Sequence, residues 1–188
     1  MRKEKGDYGY RDSSRRMRMM ITAILVAAIL AQVAARFLAK EQAAKNILTV
    51  MAILTVLPMA NMASPLLASW RYRTPPEEFH KKMMGYEKKC VILYDLILTT
   101  KEFVLPMDGI AVHSGGVYAY CTAKKADPVK AEKSLNVLLA ASRLEPHVKV
   151  FKDEKSFFRR LDSLTSETDS EKDETVEYEV QVLKSLSM

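Results

Sequence analysis

The sequence predicts a membrane α-helical hairpin followed by an α/β domain. The domain carries a mixed sheet, with elements in the order helix, strand, strand, strand, helix, strand, helix. Three observations predict it. The first 70 residues hold two long uncharged apolar stretches. After residue 90, runs rich in β-branched and aromatic residues alternate with Gly/Pro turn signals. Between the third and fourth runs lies a segment with apolar residues at helical spacing behind an Asp-Pro start.

Residues 1–18 form a basic arm with Arg2, Lys3, Lys5, Arg11, Arg15, Arg16 and Arg18. The first apolar stretch reads as a transmembrane helix over 19–38, interrupted only by Gln32 and, near its end, Arg36, which can snorkel to the interface. A cleaved signal peptide is the alternative, but the run is longer than a typical signal core and cleavage would still leave a second span. Residues 39–45 form a short extracytoplasmic loop. The second span, 46–70, carries no charge and ends at the interfacial aromatics Trp70 and Tyr72. Pro58 and Pro65 bend it, with Asn61 and Ser64 available to freed carbonyls or to the partner helix. Alanines at 23, 27, 28, 31, 34 and 35 would permit close helix approach. Basic residues flank the outer ends of both spans, so the positive-inside rule places both termini in the cytoplasm of a plasma-membrane protein.

Charge is unevenly placed. Residues 1–70 contain ten Lys/Arg and four Asp/Glu, whereas 71–188 contain nineteen of each. The whole net charge of +6 therefore belongs to the membrane side, and the neutral remainder gives no support to a nucleic-acid partner. The bilayer is the expected partner, together with a protein of unidentified kind. Cys90 and Cys121 are the only cysteines and, with His80, His113 and His147 scattered, show no metal spacing. No cofactor is expected from the residues.

The α/β domain is expected over 74–164. Glu77 to Lys89 reads as a helix, with Phe79, Met83 and Tyr86 on one face. Cys90–Thr99, Phe103–His113 and Val117–Thr122 read as strands, the last two joined through Ser114-Gly115-Gly116. Asp127 caps a helix whose first residue is Pro128 and which runs to Leu144. Val148–Phe151 is a fourth strand, and Asp153 caps a last helix through Leu164. Residues 165–175 form an acidic linker. In 176–188, Val176, Tyr178, Val180 and Val182 alternate with polar residues, which reads as an edge strand or a tail.

The element order, and the stretch from Cys90 to Thr122, resemble the nuclease-related domain (NERD) family of the restriction-endonuclease-like PD-(D/E)xK fold, with weaker similarity through Leu164. Asp108, opening DGIAVHSGGVYAYCTAK, matches the family's motif Asp. The resemblance implies two carboxylates on adjacent strands holding Mg²⁺, with a Lys beside the nucleophile. Here Cys121 stands at the Glu position and Ala123 at the Lys position, and Lys124 falls one place beyond. A soft thiol does not suit Mg²⁺. The resemblance thus implies a degenerate site and a non-catalytic binding or assembly module. The alternatives are a metal-dependent nuclease with ligands relocated to Asp95 or Glu87, and a small structural subunit of a membrane complex.

Overall fold

A computed structural model describes residues 3–99, 104–123, 126–145, 147–165 and 174–187. The elements are α1 (Tyr10–Leu38), α2 (Gln42–Ser69), α3 (Glu77–Met84), β1 (Val91–Thr99), β2 (Val104–His113), β3 (Gly116–Tyr120), α4 (Pro128–Ala141), β4 (Val148–Phe151), α5 (Glu154–Asp162) and α6 (Glu174–Leu186). Two compact units emerge: Asp12–Arg71 forms one, and Met1–Arg11 with Tyr72–Met188 forms the other.

In the helical unit, α1 and α2 are each long and apolar enough to cross a membrane. α1 begins at Tyr10, nine residues before the expected start at 19. Its first turns are polar, and an apolar run marks only the part that sheds water, not the whole helix. Gln32 Nε2 donates to Thr55 Oγ1 at 3.3 Å, joining the two helices at the polar residue inside the first stretch. The hydroxyls of Thr49, Thr55 and Ser69 donate to the carbonyls of Lys45, Met51 and Pro65, one turn back in α2. Arg15 lies over the Trp70 ring, 4.8 Å from its centroid.

The α/β unit is built on a four-stranded sheet in the order β1-β2-β3-β4. β1, β2 and β3 are an antiparallel meander, and β4 adds parallel to β3 after the α4 crossover, giving the expected mixed sheet. The tight β2–β3 hairpin depends on Gly116. Its φ of +129° is closed to L side chains, and an added Cβ would lie 2.6 Å from the His147 carbonyl. Pro106 is tolerated within β2 because β3 ends opposite Gly109, leaving the proline's nitrogen without a ladder partner to supply. As expected, Asp127 and Asp153 cap α4 and α5, accepting from Val129 and Lys130 N–H and from Ser156 N–H respectively.

Helices cover both faces. One core joins Leu96, Leu98, Leu105, Ile110, Val112, Val117 and Ala119 of the sheet to Ala131, Leu135 and Leu139 of α4, and to Val176 and Leu183 of α6. The other joins Tyr94, Ala111, Tyr118 and Tyr120 to Phe79 and Met83 of α3, and to Phe157 and Leu161 of α5. Stacked and tilted rings around Phe157 dominate that side.

Two expectations are corrected. Residues 176–188 are not an edge strand or a tail: α6 covers Glu174–Leu186. Val176, Glu179, Leu183 and Ser187 are buried at helical spacing, and that packing overrides the period of two read from the valines. Nor is the domain confined to 74–164, because α6 and the arm's first eleven residues belong to it. The acidic segment from 166 to 173 lies outside the described residues.

Both sheet edges are closed. On β1, Tyr94 N–H donates to Gly6 O at 2.8 Å, and Leu98 bridges to Ser187 after α6. On β4, α4 supplies side-chain acceptors: Asn136 Oδ1 takes Val148 N–H and Glu132 Oε1 takes Val150 N–H, both at 2.9 Å.

Candidate functional site

A face switch in β1 and β2 creates the site. Leu93 pairs with Ile110, and Leu96 pairs with Met107, and all four face the α4 core. Strict alternation would put Leu93 and Leu96 on opposite faces. Two consecutive residues on each strand, Tyr94-Asp95 and Asp108-Gly109, absorb the change without shifting the register. Asp95 does so with a left-handed φ of 59°, a conformation that Asp adopts more readily than most residues. The switch leaves Asp95 and Asp108 opposite each other across the two strands, both buried.

The guanidinium of Arg11 lies against both carboxylates. Nη1 donates to Asp108 Oδ1 at 3.1 Å and to the Arg73 carbonyl at 2.6 Å, and Nη2 donates to the Met107 carbonyl at 3.0 Å. Arg11 Nε faces Asp95 Oδ1 at 3.9 Å, an ion pair too long for a hydrogen bond, and neither atom has a hydrogen-bond partner among the described residues. Arg11 is 5% exposed, the reverse of a solvated basic arm.

Asp95 Oδ2 accepts from Gly9 N–H and Thr74 Oγ1, each at 2.8 Å. Gly9 aims its N–H there with a φ of +81°. Burial pushes the Asp95 carboxyl above its ordinary range, and Arg11, Thr74 and Gly9 offset only part of that push. Asp108 Oδ2 accepts from Thr122 N–H at 2.8 Å and from Thr122 Oγ1 at 2.6 Å. Tyr8 anchors the arm further: its ring stacks on His80 with centroids 4.1 Å apart, and its hydroxyl donates to Pro75 O.

The residue that reaches Asp108 from the end of β3 is therefore Thr122. Cys121 and Ala123, on either side of it, pack with the α4 core, and burial pushes the Cys121 thiol up, disfavouring the thiolate that would bind a metal. Glu87 is exposed in the turns after α3, whereas Asp95 is brought to the Arg11 guanidinium that Asp108 also binds. Lys124 lies outside the described residues.

This donor set does not suit a divalent cation. Both Asp108 oxygens are engaged by Arg11 and Thr122, and the position between the carboxylates is filled by a fixed cation. Among the described residues no group of three His, Cys, Asp or Glu side chains could hold a metal ion.

Sequence reasoning missed Arg11, Thr74 and Thr122. A signal for the first was present in Gly6 and Gly9 among aromatic residues, an unusual pattern for a solvated arm. Comparison of the chain with protein families, with characterised proteins and with solved structures returned no match.

Proposed function

We propose that this protein is a membrane-anchored, non-catalytic binding or assembly module whose cytoplasmic domain has a nuclease-like outline. The observation that carries the reading is Arg11. A buried guanidinium between the two carboxylates supplies internally the positive charge that a catalytic ion would bring, and leaves no open coordination position for substrate. The helix, meander, crossover helix and parallel strand support the nuclease-like outline.

Membrane anchoring by α1 and α2, with both flanking segments in the cytoplasm, is part of the proposal. It is supported by the length and apolarity of the helices and by the basic residues at their outer ends. A further support is that residues before α1 and after α2 fold into one compact unit. Two segments that share a core must lie on one side of a bilayer, which an even number of spans provides.

The test is cleavage of plasmid DNA, single-stranded DNA and RNA by the full chain in detergent, with Mg²⁺ or Mn²⁺. The expected result is no cleavage. Cleavage that disappears in Asp108→Ala would overturn the reading and install the metal-dependent nuclease in its place.

A further inference from the structure

We infer that the cleft between the β4 edge and α5 is a binding site for a phosphate-bearing anion. The cleft is an open cavity of about 720 Å³, within the size range of ligand sites. It lies on the α3/α5 side of the sheet, lined among others by His147, Lys149, Arg159 and Arg160, with Tyr118 as part of its wall. No carboxylate lines it among the described residues.

The positive character follows from how α5 distributes its charges. Its acidic residues are engaged elsewhere. Glu154 pairs with Lys82 of α3 at 2.7 Å, and Asp162 accepts from the Tyr86 hydroxyl at 2.6 Å. Asp153 is committed to the α5 cap, whose Ser156 N–H and hydroxyl hold its carboxyl below the usual range. Arg159 and Lys149 are left exposed, and neither forms an ion pair among the described residues. Within an otherwise neutral α/β portion, this is a local concentration of positive charge.

Arg160 is held in place before any ligand arrives. Nη2 donates to the Tyr118 hydroxyl at 2.8 Å, Nη1 donates to Ser163 Oγ at 3.3 Å, and the guanidinium lies over the Tyr118 ring at 4.9 Å. A fixed planar fork loses less side-chain entropy on binding, and its geometry matches phosphate oxygens. Lys149 joins it because β4 runs parallel to β3 with Lys149 opposite Tyr118. The closed β4 edge excludes an added peptide strand as the occupant, since Asn136 and Glu132 already take the outward N–H groups. The inference does not rest on the Asp95–Asp108 pair, so either site can fail without the other.

Free phosphate esters and anionic lipid headgroups share this chemistry. The test places the full chain in phosphatidylcholine nanodiscs and titrates sodium pyrophosphate by calorimetry. Saturable binding that weakens as salt is raised is expected. Substituting Lys149→Ala and Arg159→Ala together should weaken it at least about tenfold, with thermal unfolding unchanged because both side chains are exposed. Lys133→Ala, on exposed α4 surface outside the cleft, should leave binding unchanged. Repeating the titration in phosphatidylglycerol nanodiscs identifies the source. Weaker pyrophosphate binding there assigns the cleft to headgroups, and equal binding assigns it to a soluble ligand. No binding at millimolar pyrophosphate would overturn the inference, as would equal loss in Lys133→Ala or insensitivity to the double substitution.

Discussion

Replacing Arg11 with methionine keeps most of the side-chain volume and removes the one cation shared by Asp95 and Asp108. All three side chains are at most 5% exposed, so water cannot replace the lost charge. Breaking a buried pair in this way costs about 3–5 kcal/mol, most of it the penalty of leaving carboxylates buried and uncompensated. The Arg73 and Met107 carbonyls lose their donors as well. A domain of this size has a total stability of roughly 5–15 kcal/mol, so the variant should lose about a third to a half of a mid-range value. Its Tm should fall on the order of 10–20 °C. Urea unfolding of the full chain in micelles, followed by near-ultraviolet circular dichroism of the buried tyrosines, measures the loss. Arg11→Lys should fall between the two, since an ammonium can serve Asp108 but cannot also reach the Met107 and Arg73 carbonyls. Adding Asp108→Asn to Arg11→Met should recover stability, because the carboxylate becomes a liability once its partner is gone. A cost below about 1 kcal/mol for Arg11→Met, or no recovery in the double variant, would refute this account of the site.

Three other outcomes follow from the same geometry. Burial raises the Asp95 carboxyl, so the native state keeps a proton that the unfolded chain has already released. Stability is therefore lost as pH rises from near 3.8 through the raised native value. Asp95→Asn should flatten that part of the stability profile and hold more stability at neutral pH, and an unchanged profile in acid-to-neutral titrations of unfolding would contradict it. Gly116→Ala should destabilise the hairpin by about 1–3 kcal/mol through forced φ and the close His147 carbonyl, measured by urea midpoint. Removing the β4 edge acceptors with Glu132→Ala and Asn136→Ala should expose two strand N–H groups and promote self-association. Light scattering in detergent would reveal this, and a monodisperse double variant would count against edge protection.

The meander and the crossover were legible because their signals are local. β-branched runs, a Ser-Gly-Gly turn and an Asp-Pro helix start each state their conformation within a few residues. The segment after 174 was misread because Val176, Val180 and Leu183 satisfy a helical spacing while Val176, Tyr178, Val180 and Val182 satisfy a strand spacing. Which period wins depends on the surface available, and the uncovered flank of β1 and β2 is not visible in one dimension. Asp108 was singled out by its motif, but its partners lie 97 and 14 residues away, and no spacing rule connects them. The face switch did leave a trace. In LYDLIL the apolar residues Leu93 and Leu96 are three apart around an Asp, a break in alternation that marks an irregular strand.

The early arm also ties folding to biogenesis. Arg11 is synthesised long before Asp108, and both hydrophobic helices emerge between them, so the α/β core cannot be completed until the ribosome has delivered both. If both helices span a bilayer, as proposed, a chain that inserted only one of them would hold the arm across the bilayer from Asp95 and Asp108, and the domain would be left with a charged, unfilled gap. Under the proposed anchoring, the stability of the domain would then report whether both helices had inserted, because the arm completes its core.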